Sequence, residues 1–317
     1  MTTSALFLTA QGRLRSGWRA AMFVLLLSVF APVALAIVAI PSFLLPAGRA
    51  GAIAAVEMPL TWVSMVVAGV AAHWVMLAFI DRTGWGYVGL ARAEARVRPV
   101  GRGFALGAVA IAVPCAVLLA LGWLGLVAAP GGGAPVWREL AVLLAVLIPA
   151  ALAEELMIRG YLLSALADGI GRVAALLLTS VAFALLHANN PGMAPGALVV
   201  VGLAGVFLGA VRFATSSLYA AWAAHLAWNA VLGVALHALV SGAEMGKAGW
   251  RTLDTGPDWA TGGSWGPEGG VAAGAGLLVA TWYLIGRHRT AFRGPAPTEQ
   301  GGRSEPGPTA TEAGIPA

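Results

Sequence analysis

Residues 151–163 read ALAEELMIRGYLL, placing Glu154, Glu155 and Arg159 inside a run otherwise apolar enough for a lipid bilayer. An ionisable side chain at the centre of a membrane helix costs at least ~2.5 kcal/mol even on permissive insertion scales, so function is the default explanation for one. The rest of the chain supports the bilayer. Of its 317 residues, 59% are hydrophobic and 10% charged, with a mean hydropathy of +0.83. A soluble domain carries about 25% charged residues, so the composition predicts an all-α, polytopic transmembrane bundle.

Apolar runs occupy roughly 18–45, 58–80, 103–128, 137–166, 173–189, 196–213, 216–240 and 270–286. Each is close to or above the ~17 residues that cross the hydrocarbon, which gives about eight spans. The first follows Arg13, Arg15 and Arg19, as a signal peptide would. It continues to Leu45, too long for an h-region of ~7–15 residues, and reads as an uncleaved span. With the N-terminus in the cytoplasm, only Arg49, Arg138, Lys247 and Arg251 of the 19 lysines and arginines fall on the outer side. That positive-inside bias puts both termini in the cytoplasm and the protein in the inner (plasma) membrane as a multi-pass chain. The expected organisation is a cytoplasmic segment 1–17, a bundle 18–289 with its core at about 135–240, and a disordered cytoplasmic tail 290–317 rich in Pro, Gly, Thr and Glu. Residues 241–269, with Trp250, Trp259 and Trp265, read as an outer loop whose indoles rest at the interface.

The net charge of +5 and pI near 10.1 do not imply nucleic-acid binding, because the basic residues flank apolar runs instead of clustering on a soluble module. The single Cys115 excludes an intrachain disulfide framework. No internal repeat of the kind that builds transporters is visible.

Three helix-spaced pairs carry the chemistry. Glu155 and Arg159 are four apart with the acid first, the favoured order for an ion pair. Glu154 points about 100° away, has no partner in its own helix and is the candidate general base. Phe183 and His187 share one helical face, so the ring walls the imidazole. His225 and Asn229, in HLAWN, must point into the bundle, since lipid would leave their hydrogen bonds unmade. They serve either as interhelical glue or as donors to a developing oxyanion. His73 has no polar companion at helical spacing and His237 lies near the outer end of its span, so both read as packing or interface residues. The serines lie in no GxSxG elbow.

With EExxxR at 154–159, FxxxH at 183–187 and HxxxN at 225–229, the chain resembles the CPBP family of CAAX prenyl proteases and bacteriocin-processing intramembrane proteases. The resemblance covers about 135–240. It implies that Glu154 activates water for attack on a peptide carbonyl and that His187 orients that water or shuttles its proton. His225 and Asn229 stabilise the oxyanion, and Glu155 and Arg159, with Phe183, brace the site. The substrate it implies is a membrane-associated or lipidated peptide. A metal is a second option: Glu154, His187 and His225 have the ligand count of a catalytic zinc site with one open position. No HExxH is present, and a metal-free Glu/His mechanism, which requires no cofactor, accounts better for Asn229. A non-catalytic immunity or chaperone-like protein, or a transporter using the same buried polar groups, is the competing class. Oligomeric state is not encoded in any feature of the sequence.

Overall fold

The computed structural model of the chain describes residues 6–9, 12–44, 50–129, 136–245 and 249–293. It is a helical bundle: α1 (Ser16–Leu44), α2 (Ala50–Val75), α3 (Val97–Ala120), α4 (Val136–Glu155), α5 (Tyr161–Ile170), α6 (Arg172–Leu186), α7 (Pro195–Thr215), α8 (Leu218–Ala230), the one-turn α9 (Asp258–Thr261), α10 (Val271–Arg287) and the short α11 (Arg289–Arg293). Six helical stretches among the described residues are long and apolar enough to cross a membrane. One is the continuous Trp137–Ile170, and α6 and α10 are shorter apolar helices. Helices are the expected solution, because a bilayer offers no water to satisfy a backbone that does not bond to itself.

Three wide π-turns interrupt the helices: Met76–Ile80 after α2, Leu156–Gly160 between α4 and α5, and Val231–Leu236 after α8. The second of these lies within the glutamate-bearing stretch.

Two sequence expectations change in the structure. The run 103–128 is not one span: α3 ends at Ala120, and β1 (Leu124–Ala128) pairs antiparallel with β2 (Trp250–Asp254), Leu124 opposite Asp254. Only Leu124 of β1 is buried, and its backbone partners come from β2 instead of from a continuing helix. The segment 241–269 is likewise not a loop with three interfacial indoles. Trp259 is exposed, but Trp265 is completely buried and packs with Ile158, Phe183 and Val201. The proposed tail falls outside the described residues from 294 onward, as do residues 1–5, 10 and 11 of the N-terminal segment.

The ends of the helices are tied by charge. The Arg19 guanidinium, at the start of α1, reaches Asp81 beyond α2 (2.9 Å) and Asp168 near the end of α5 (3.0 Å). It also donates to the hydroxyls of Tyr161 and Tyr87. Arg172, opening α6, donates to the Ala291 carbonyl of α11 at 2.7 Å. These contacts join the ends of α1, α5 and α6 to the segments after α2 and α10. Within the bundle, α3 lies directly on α8: a Cβ at Gly103 or Gly107 would come within 2.1 or 2.0 Å of the Ala220 or Ala224 carbonyl oxygen. Such small-residue contact lets membrane helices approach closely, and it fixes α8, which carries His225 and Asn229.

Candidate active site

The end of α4, the end of α6 and the middle of α8 converge. Glu154 and Glu155 are the last two residues of α4 before the π-turn. His187 caps the C-terminus of α6, and His225 and Asn229 lie one turn apart on α8. The structure thus brings together the three helix-spaced pairs and Glu154.

Glu155 is fully buried and Arg159 nearly so. The Arg159 Nη1 donates to Glu155 Oε1 at 3.0 Å, and its other arm reaches the Gly205 carbonyl at 3.4 Å. The guanidinium lies 4.1 Å from the centre of the Phe183 ring, a cation–π contact. Phe183 also stands 4.7 Å from the His187 ring and 6.2 Å from the His225 ring. One aromatic ring therefore neighbours the arginine and both imidazoles. The same Glu155 Oε1 meets His225 Nδ1 at 3.0 Å. With two strong partners on one oxygen, Glu155 is held by structure.

Glu154 differs. Its side chain is 20% exposed where that of Glu155 is fully buried, and although Oε2 of both acids has no hydrogen-bond partner among the described residues, only that of Glu154 faces the two imidazoles. That oxygen lies 3.8 Å from His187 Nε2 and 3.8 Å from His225 Nε2. Neither separation is a hydrogen bond, which for N–H···O spans about 2.7–3.2 Å; the three atoms instead border a gap of the kind one water bridges. Each imidazole is oriented from behind, His187 by the Phe183 carbonyl at 2.8 Å and His225 by Glu155. Because a carbonyl only accepts, His187 Nδ1 carries a proton, and its Nε2 faces Glu154.

Beyond the imidazoles lies a cavity of about 40 Å³ bordered by Phe183, His187, His225, Asn229, Ser241 and Glu268. At ~10–15 Å³ for each water, it holds a few solvent molecules and no length of peptide. Asn229 is 8% exposed, and its side-chain amide makes no hydrogen bond to other described residues.

Sequence spacing missed several contributors. Glu268 is buried and accepts from Trp228 Nε1 (2.7 Å) and from the Ser241 amide (2.5 Å) and hydroxyl (3.2 Å). Burial pushes its carboxyl above the usual range, against those three hydrogen bonds and nearby His187. The ring of Trp265 stands 6.4 Å from that of His187. Glu268 and Trp265 lie in the segment taken for an outer loop, and only an acid among glycines hinted at them.

Metal ligation was the open alternative. Glu154, His187 and His225 are suitable donor types, yet no group of three His, Cys, Asp or Glu among the described residues is gathered closely enough to hold an ion.

Residues 136–231 match the family model described as Rce1-like, type II CAAX prenyl endopeptidase. The matched stretch runs from the start of α4 to the end of α8 and contains all seven site residues. It is consistent with a CPBP family intramembrane protease. No curated protein and no solved structure matches the chain.

Proposed function

We propose, from the premise that residues 136–231 carry an Rce1-like CAAX prenyl endopeptidase domain, that the chain hydrolyses a peptide bond in a membrane-associated or lipidated peptide without a metal. The observation that carries this reading is Glu154 Oε2, unpartnered and 3.8 Å from two imidazole nitrogens.

Glu154 takes a proton from the water held between itself and the imidazoles, and the oxygen attacks the scissile carbonyl. The resulting oxyanion receives hydrogen bonds from His225 Nε2 and the Asn229 amide, donors placed in a site with little water. His225 already donates from Nδ1 to Glu155, so it serves as an oxyanion donor while protonated at both nitrogens. His187, whose Nε2 faces Glu154, relays the proton to the leaving amine. Peptide plus water gives a new carboxylate and a new amine. Glu155 and Arg159 keep the His225 ring and the motif helix in place.

The arginine-rich face is the cytoplasmic one in this reading, with both termini on it and the chain in the plasma membrane. The decisive experiment incubates purified protein in lipid nanodiscs with an internally quenched farnesylated CAAX peptide and with unprenylated transmembrane peptides. Cleavage by wild type and none by Glu154→Gln is expected. Equal cleavage by both removes Glu154 from the reaction.

A further inference from the structure

His73 lies on α2, about eighty residues upstream of the glutamate motif, and no part of it is exposed. Its ring nevertheless makes two hydrogen bonds. Nδ1 stands 2.7 Å from the Gly69 carbonyl, and Nε2 receives the backbone N–H of Tyr161 at 3.0 Å. The carbonyl only accepts and the amide only donates, so the tautomer is fixed: a proton on Nδ1 and a lone pair on Nε2.

Tyr161 is where the chain re-enters regular helix. Leu156–Gly160 form the π-turn after Glu154 and Glu155, and α5 starts at Tyr161. Amides in the first turn of a helix have no carbonyl partner within it, and in a membrane an unsatisfied one costs several kcal/mol. An imidazole from another helix meets this one. The fit is close on both sides. A Cβ on Gly160 would lie 2.1 Å from His73 Nε2, and one on Gly69 would lie 3.3 Å from the Leu156 side chain. Phe23 holds the ring edge-on at 5.0 Å, and the Tyr161 hydroxyl is itself bound to Asp81 and Arg19.

We propose that His73 is a positioning residue for the reaction: its Nε2 supplies the acceptor that lets α4 break into the π-turn and restart at Tyr161, and so sets where Glu154, Glu155 and Arg159 point. This rests on the hydrolase reading above. Packing alone would ask for a ring of this shape and would be indifferent to its nitrogens. Positioning asks for the acceptor.

Two variants separate these roles. His73→Phe keeps an aromatic ring and removes the acceptor; His73→Gln keeps an acceptor for the Tyr161 amide. On the farnesylated CAAX peptide, His73→Phe is expected to lose at least about tenfold in kcat with KM changed less than about twofold. His73→Gln is expected to stay within about threefold of wild type. Wild-type turnover by His73→Phe, or equal damage in both variants, overturns the proposal. Two further readouts need no activity. Hydrogen exchange at the Tyr161 amide should rise at least about tenfold in His73→Phe and much less in His73→Gln. Nitrogen-15 spectra of wild type should show His73 with a bare, hydrogen-bonded Nε2. A charged ring, or a proton on Nε2, overturns the proposal even if His73→Phe does not fold. A wild-type protein that cuts no peptide counts against the hydrolase reading, and the exchange and nitrogen-15 measurements then decide His73 by themselves.

Discussion

His225 Nδ1 and Glu155 Oε1 lie 3.0 Å apart, and the oxygen between them and Arg159 is shared. This one atom joins a helix of the EExxxR motif to the helix of the HxxxN motif. It also separates the roles of two adjacent acids: Glu155 is committed on its inner side, and Glu154 is left with an oxygen facing both imidazoles.

Substitution at the two glutamates should therefore diverge. Glu154→Gln is expected to lower kcat by ~10²–10⁴, the range for a lost general base, with an unchanged melting temperature. Glu155→Gln strands a buried arginine and loosens His225. Breaking one side of a buried pair costs on the order of 3–5 kcal/mol, so the loss appears in thermal unfolding and expression. Similar melting of the two variants would show that Glu155 is not the structural partner assigned to it.

Asn229 offers a cleaner test of the oxyanion site. Its amide has no hydrogen bond to lose in the resting protein, so Asn229→Ala should cost little stability. Loss of an oxyanion donor typically lowers kcat by ~10²–10³. Asn229→Asp should fall further, since it places a carboxylate beside the developing negative charge. Steady-state kinetics on the quenched peptide, beside melting curves, distinguish these outcomes; unaltered kcat in Asn229→Ala would exclude the role.

Six of the seven site residues were legible because each pair sits one helical turn apart, a spacing that survives in any helix, and Glu154 was legible as the acid beside Glu155 with no partner of its own. The relations between pairs were not. The link from His225 to Glu155 spans 70 positions, and a uniformly apolar span carries no periodicity to say which face meets which helix. His73 looked solitary for the same reason: its partner is a backbone amide of another helix, and every residue has one. The π-turn before Tyr161 leaves no mark beyond Gly160. Likewise Leu124–Ala128 is as apolar as a helix end, and only its pairing with Trp250–Asp254 makes it a strand.

Metal dependence separates two chemistries that use the same side chains. In the metal-free reading, activity is expected to persist after prolonged dialysis against EDTA and 1,10-phenanthroline, with no stoichiometric metal by elemental analysis. Loss on chelation, restored by zinc and no other addition, would return Glu154, His187 and His225 to the position of ligands.

Glu268 makes stability depend on pH in a direction opposite to a salt-bridged acid. Burial raises its carboxyl above the ordinary value of 4.5, so the folded protein keeps that proton to a higher pH than the unfolded chain does. Between 4.5 and the folded value, the folded state binds more protons, and stability falls as pH rises. The contribution is complete below 4.5 and is lost as pH passes through the folded value. Glu268→Gln has no such proton. Melting temperatures of the two proteins in detergent at pH 4, 5, 6 and 7 should show wild type best placed against the variant at pH 4, with its relative position declining upward. Other acids titrate in both proteins and cancel from the difference. A gap that is constant, or that grows in favour of wild type with pH, would mean that Trp228 and Ser241 hold the ionised carboxylate more strongly than burial opposes it.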